Sequence, residues 1–386
     1  MSEYSMKILF VIDSFFTGGA EFSTLEIVRF LKENGIQISV CKLKNKEPQY
    51  DASLFGLDTS DVFTLPSGGF WTKRKALQKS IQEFKPDIIH SVLFNSNLMV
   101  RSIRVFDKSF IHLESLVNHS YSSERLKDPR VKAYKLELHR WFNMITARFG
   151  TDHFHPNGAS VMQHFQEKLF ISSKKMTLVY RGRNSKNYEV APTPRTDLGI
   201  ENDKIVLINV GRQDFQKGHD LLVESVASLP NSIKEKIVVL IVGREGNATS
   251  SLKKLLPEKK LENSILFLGH RTDVPALLKM ADIFIFPSRF EGLPGALIEA
   301  EAASLPIICS HVSMMLEVVE PNKNALTFDL NKVQDLSKAI ESLVEDKELR
   351  TAFATKSRMI FEERFQIEAV HQMMLSLYQK LVNAKK

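Results

Sequence analysis

Glu291 and Glu299, with seven residues between them, enclose the run Gly292-Leu293-Pro294-Gly295 and follow an apolar stretch that ends at Pro287. Each residue type there suits a task. Gly292 and Gly295 let the backbone approach a ligand closely, and Pro294 fits the first position of a helix. A helix starting there turns unpaired N–H groups and its positive dipole end toward an anion such as a diphosphate. The two carboxylates accept hydrogen bonds from paired hydroxyls, as sugars and ribose present them. A phosphate site flanked by two hydroxyl-reading acids fits a nucleotide sugar. The glutamate spacing alone says little in a chain with 45 acidic residues; the Gly-Leu-Pro-Gly turn after a strand gives it weight. A second pattern, Gly211-Arg212 followed by Lys217-Gly218, stands directly after the apolar run ending at Val210. A permanent guanidinium and a mobile ammonium at one strand end suit a diphosphate whose charge grows as it leaves. On an isolated loop the same two cations would ordinarily be solvated.

Weaker patterns leave alternatives open. Thr17-Gly18-Gly19-Ala20-Glu21 is a glycine turn between the first strand and the first helix, and it is either a plain tight turn or backbone that meets a ligand. It does not match G-x-G-x-x-G, which speaks against a dinucleotide site. His90, His112 and His119 are each a structural histidine or a donor to a sugar. His112 is preferred because it ends the expected strand 109–113. Arg181 and Arg183 either recognise an anionic group or are solvated linker charges. The segment 120–150 carries seven Lys or Arg against three acids, with Tyr134, Trp141, Phe142 and Phe149 among them. It reads either as a basic amphipathic helix on an anionic membrane or as an ordinary packed helix.

The elements that must position these residues follow from periodicity. Strands are expected at 7–12, 36–43, 87–93, 109–113 and 177–180, and a helix at 21–32. Beyond them strands fall at 205–210, 237–242, 264–268, 282–287 and 306–310. Helices are expected at 220–227, 274–280, 295–303 and 368–382. This βαβα rhythm, twice over, predicts an α/β chain of two doubly wound, Rossmann-like domains with parallel sheets, and ligands at the carboxyl ends of strands in a cleft between them. The expected division is 1–185, 186–365 and a terminal helix at 366–386 packing back on the first domain.

Bulk properties set outer limits. At 386 residues, two domains are the natural expectation. Cys41 and Cys309 are too few for a disulfide framework and sit in apolar stretches, which points to a reducing compartment. No run approaches the roughly 18 apolar residues of a membrane span, and 8–12 is too short for a signal peptide. A cytoplasmic protein is expected. The net charge of +7 suits either a solvated basic surface or attraction to an anionic membrane or phosphorylated ligand. Nucleic acid is not expected: zinc-ligand spacing, an aromatic strand motif and a long basic tail are all missing.

The stretch 267–306, with Gly269, Asp273-Val274, Pro287-Ser288 and Glu299-Ala300, resembles the Glu-x7-Glu region of retaining glycosyltransferases of the GT-B fold, family 4. Gly-Arg-x4-Lys-Gly at 211–218 is similar to that family's donor-phosphate pair. The resemblance implies that Glu291 contacts the transferred sugar and Glu299 the ribose, with the backbone of 292–295 beside the donor. Gly18 and Gly19 would lie against the donor phosphate, and Gly243, Arg271 and Val274 would line the base pocket. His112 would serve the sugar, making Glu291, Arg212, Lys217 and His112 the catalytic set. The family's Asn-Gly-Val-Asp is replaced here by Arg181-Gly182-Arg183-Asn184. The implied activity is retaining transfer of a hexose from a UDP- or GDP-sugar to a saccharide or lipid-linked saccharide in polysaccharide or lipopolysaccharide assembly. Neither cofactor nor metal is expected, since the nucleotide sugar is a substrate and no Asp-x-Asp stands at a strand end. The rivals are a nucleotide-sugar epimerase on the same scaffold, a nicotinamide oxidoreductase and a catalytically silent binding protein.

Overall fold

The computed structural model describes residues 6–15, 18–44 and 51–385. Thr17, from the glycine turn, lies outside them. Two compact units form. One takes the chain up to Tyr121, Val131–Arg181 and the residues from Ala369 onward; the other takes Ser122–Arg130 and Gly182–Glu368. The change of unit therefore falls at 181/182 rather than 185/186, and the short segment 122–130 belongs with the second unit.

The first unit is built on a six-stranded parallel sheet: β1 Lys7–Ile12, β2 Gln37–Lys42, β3 Val62–Thr64, β4 Ile88–Val92, β5 Ile111–Leu116 and β6 His153–Pro156. Their order is β3-β2-β1-β4-β5-β6. β1 shows why both faces are covered. Its Ile8, Phe10 and Ile12 enter one core, which also takes Val370, Met374 and Leu377 of the helix Ile367–Lys385. Its Leu9 and Val11 enter the opposite core with Leu77, Ile81 and Val100. Alternation across a strand with two buried faces gives an unbroken apolar run.

The second unit repeats the plan with β7 Ile205–Val210, β8 Ile237–Val242, β9 Ile265–Gly269, β10 Ile283–Phe286, β11 Ile307–Ser310 and β12 Ala325–Phe328, in the order β12-β11-β10-β7-β8-β9. The expected two doubly wound α/β sheets are present. Three details differ from the sequence reading. The strand placed at 109–113 runs Ile111–Leu116. The stretch 177–180 is not a strand, although Thr177 and Val179 donate backbone bonds to Phe154 and Pro156 of β6. The short strands β3, β6 and β12 were not anticipated. Cys41 lies in β2 and Cys309 in β11, both buried and free; burial raises both thiols above their ordinary range.

Candidate functional site

In the second unit β7 and β10 are adjacent, and the chain leaves them in opposite directions, through β8 and β9 on one side and β11 and β12 on the other. The space beyond their carboxyl ends is the topological switch point, where open α/β sheets take ligands. Two loops leave it, 211–218 after β7 and 287–294 after β10.

Backbone and side chains stitch these loops together. Arg289 N donates to the Gln216 carbonyl at 2.8 Å, and Gln216 Nε2 to the Phe290 carbonyl at 2.7 Å. The Arg289 guanidinium forks onto Asp220 at 2.8 and 2.6 Å and lies 4.2 Å from the Phe215 ring centroid. Gly218, at φ +66°, is a position only glycine fits, because a Cβ there would stand 2.1 Å from the Pro287 carbonyl oxygen. The result is that Lys217 Nζ donates to Glu291 Oε1 at 2.6 Å, with side chains 20% and 12% exposed. The Lys217 stem passes Gly211, and its ammonium lies 5.1 Å from the Phe286 ring centroid. A half-buried ammonium facing a carboxylate can turn to a new anion when one arrives or gains charge.

The helix Gly295–Ala302 begins beside this pair. Pro294 caps it from an extended conformation and is not its first helical residue. Gly292, Leu293 and Pro294 are buried, which fixes the turn between Glu291 and the helix start. Glu299 points to Arg183, whose Nε donates to Oε1 at 2.9 Å; the arginine side chain is 5% exposed and the carboxylate 22%. Arg183 is held through its own backbone, donating to the Phe365 carbonyl and accepting from Ile367 N. A Cβ on Gly295 would lie 2.3 Å from Arg183 Nη2. Of the two arginines whose reading stayed open, Arg183 is a buried cation at the helix start.

Arg212 is the most open of the group, 56% exposed, and pairs with Asp214 at 2.5 Å. Gly243 N donates to the Gly269 carbonyl at 2.8 Å, and a Cβ on Gly243 would stand 2.1 Å from the Gly211 carbonyl oxygen, so the ends of β7, β8 and β9 crowd together. Val274 opens the helix Val274–Met280. Arg271 forks onto Asp273 at 2.8 and 2.6 Å, and this hydrogen bonding holds the carboxyl of Asp273 below its ordinary range. Structure thus joins Lys217 with Glu291, and Glu299 with Arg183 and Gly295. Arg212 and Arg271 each pair within their own loop.

The remaining candidates belong to the first unit. Gly18 caps and Gly19 opens the helix Gly19–Glu33; a Cβ on Gly19 would meet Arg181 Nη1 at 3.4 Å. His112 must be corrected. It is the second residue of β5 and wholly buried, with Nε2 at 2.7 Å from Ser91 Oγ and Nδ1 at 2.6 Å from the Gly150 carbonyl. Burial pushes its pKa down to about 4. Both nitrogens are engaged inside the sheet, so it is a structural histidine. His90 is similarly held, between Tyr378 Oη and Ser115 Oγ at 2.7 Å each, and His119 is buried and stacked on His164. No local pattern in the sequence marks Arg289 and Asp220 as a clamp between the two loops. Arg289 stands two residues before Glu291, but its partner is 69 residues away.

Comparison with known proteins follows this division. The model described as Glycosyltransferase Family 4 matches residues 17–186, and that of Glycosyl transferases group 1 matches residues 191–359. A Campylobacter jejuni N-acetylgalactosamine-N,N'-diacetylbacillosaminyl-diphospho-undecaprenol 4-alpha-N-acetylgalactosaminyltransferase is 28% identical over 53% of this chain and 53% of its own length, so the chain spans about half of that relative. An Escherichia coli UDP-Gal:alpha-D-GlcNAc-diphosphoundecaprenol alpha-1,3-galactosyltransferase is 24% identical over 71% of this chain and 70% of its own. Among solved structures, Anabaena HepE in complex with UDP and glucose superposes with a TM-score of 0.83 at 20% identity, over 97% of this chain and all of that one. Sucrose-phosphate synthase from Thermosynechococcus elongatus gives 0.84 at 19% identity over 98% of this chain and 100% of that one. These likenesses match the two parallel sheets to the GT-B fold, and with the family models they establish that the chain belongs to the group 1, family 4 glycosyltransferases.

Proposed function

We propose that the chain transfers a sugar from a UDP-sugar to a lipid-linked saccharide in the assembly of cell-surface polysaccharide or lipopolysaccharide, with retention at the anomeric carbon and no metal ion. The observation that carries this reading is the Lys217–Glu291 contact of 2.6 Å at the carboxyl ends of β7 and β10, beside the helix start at Gly295. The names of the relatives, two of them transferases acting on diphosphoundecaprenol-linked saccharides, support the acceptor class. The UDP complexes of a structural relative support the nucleotide. Such an acceptor would bring the chain to the inner face of a membrane.

In this reading the bond from the anomeric carbon to the diphosphate oxygen breaks, and its electrons pass to the phosphate. Lys217 and Arg212 meet the growing charge and take the part a metal ion plays in other transferases. The acceptor hydroxyl attacks from the face the diphosphate leaves and gives its proton to the departing phosphate oxygen. Glu291 reads the sugar hydroxyls, Glu299 the ribose, and Arg183 holds Glu299 in place.

A thermal-shift series with UDP-, GDP- and ADP-sugars tests it. A ligand that binds only the folded chain raises its melting temperature with concentration. UDP-sugars are expected to do so in the wild type, and far less in Lys217→Ala. No shift with any of the three would overturn the reading. Mass spectrometry of the product separates the epimerase alternative, which yields an isomerised nucleotide sugar and no free UDP.

A further inference from the structure

The helix Ala133–Gly150 packs Leu136, Met144 and Ala147 against a buried cluster and leaves its larger apolar side chains outward. Its buried residues are Asn143, Ala147 and Gly150. Arg101 explains that inner face: its Nη1 donates to Asn143 Oδ1 at 2.6 Å, and a Cβ on Gly150 would stand 2.5 Å from the Arg101 Cβ. Small and polar residues are needed there to seat the buried arginine. On the other side Tyr134, Leu138 and Phe149 are 65, 70 and 64% exposed, and Trp141, Phe142 and Ile145 about half. These positions recur every three or four residues, so they form one stripe about 22 Å long at 1.5 Å per residue.

The stripe does not stand alone. On one flank Phe70, Leu98, Val105 and Phe142 line an apolar groove of about 540 Å³. On the other Trp141, Phe154, Leu169 and Phe170 line one of about 710 Å³, with Arg148 and Lys175 in its wall. Ile145 and Phe149 line both. Trp71, Phe106 and Phe170 add rings that are 75, 82 and 74% exposed. A contiguous apolar surface of this kind marks a contact with something apolar.

Charge indicates what. Between residues 132 and 150, Lys132, Lys135, Arg140 and Arg148 face only Glu137, and Lys174 and Lys175 are exposed nearby. A second copy bound face to face would set the same cations against one another. Aromatic rings interleaved with Lys and Arg are instead the chemistry of the membrane interface, where rings sit at the acyl boundary and cations on headgroup phosphates. No helix among the described residues is long and apolar enough to cross a membrane; this one would lie along it.

We infer that this face of the first unit docks on an anionic lipid bilayer, with Trp141, Phe142, Ile145 and Phe149 seated among the headgroups and Lys135, Arg148 and Lys175 on their phosphates. It deepens, and rests on, the reading that the acceptor is lipid-linked, since docking brings the enzyme to that substrate.

The test is co-sedimentation of the full chain with phosphatidylcholine vesicles and with vesicles rich in phosphatidylglycerol, without donor or acceptor. The chain should pellet with the anionic vesicles, its tryptophan emission should shift to the blue, and high salt should release it. Lys135→Gln with Arg148→Gln should weaken partitioning roughly 25-fold, about fivefold per cation. Ile145→Glu with Phe149→Glu should abolish it while the melting temperature holds, since both side chains are outside the core. Equal binding to neutral vesicles, binding unchanged in the glutamate variant, or no binding at all would overturn the inference. So would a dimer that the glutamate variant dissociates, or saturable capture of dispersed undecaprenyl phosphate without vesicle binding. Because UDP-sugar thermal shifts are read separately, a lost docking face and a failed transferase reading give different results.

Discussion

In the first unit β5 carries His112 and Glu114 into the interior, where Arg101 meets Glu114 at 2.5 Å with both side chains 2% exposed. In the second, β7 and β10 carry no charge along their length, and the ions, Lys217 and Glu291 among them, lie past their last residues. Both are six-stranded parallel sheets wound the same way. A charged or titratable group in mid-strand, with both faces covered, must find its partners inside the protein and is then unavailable to a ligand. The same group beyond the carboxyl end sits where a ligand can compete for it. Eight of the eleven histidines belong to the first unit, and His90, His112 and His155 are wholly engaged in its interior. Position along the strand, more than residue type, separates framework from site.

The contrast breaks most visibly if Lys217 proves to be framework. Lys217→Ala should lower turnover by about a thousandfold, the scale of losing one preorganised charge in a transition state, with little change in denaturant midpoint. A folded variant with wild-type kcat would place Lys217 with the structural ions. Glu114→Ala should do the reverse. It strands a buried guanidinium, costs about 3–5 kcal/mol, and should appear in urea melts as early loss of the first unit while UDP-sugar binding to what remains folded persists.

Burial pushes His112 and His155 each down to about 4, against about 6.5 in the unfolded chain. Their stabilising effect is complete above pH 6.5 and is lost as pH falls toward 4, on the order of 3 kcal/mol for each. His90 and His164 are lowered as well, whereas in the second unit the lowering falls on His219. Hydrogen exchange at pH 5 should open the first unit before the second.

The smallest effect concerns an exception within the second unit. Glu301, two residues beyond Glu299 on the same helix, is fully buried, with Oε1 accepting from Asn324 and Oε2 without a hydrogen bond among the described residues. Burial, opposed by the Asn324 bond, raises its carboxyl well above the ordinary value. The sign is opposite to that of the histidines. Above about pH 4.5 the unfolded chain gives up a proton that the folded chain keeps, so folding weakens as pH rises. Glu301→Gln should therefore raise the melting temperature at pH 8, by an amount equivalent to roughly 1 kcal/mol, with the gain vanishing near pH 4.5.

Much of the framework was legible because apolar periodicity is local. Ile205–Val210, Ile237–Val242 and Val274–Met280 were expected at the bounds they have. The missed strands share a cause. β3 has three residues, β12 has four, and β6 reads His-Phe-His-Pro, ending in a residue that cannot donate to a ladder. All three sit at sheet edges, where burial imposes the weakest pattern. His112 was misjudged for a related reason: a strand end set three residues short turns an interior side chain into an apparent terminal one.

Residue order by itself marked most of the strands and the turns that hold Gly-Leu-Pro-Gly or Lys-Gly, because backbone preference and apolar period act over a few residues. Only tertiary structure decided that Lys217 meets Glu291 across 74 residues and Arg183 meets Glu299 across 116, since strand order, not spacing, sets which loops share a switch point. It also decided which side of the helix Ala133–Gly150 is covered. A helical period defines a stripe, but the neighbour that buries Asn143, Ala147 and Gly150 determines that the aromatic stripe faces out.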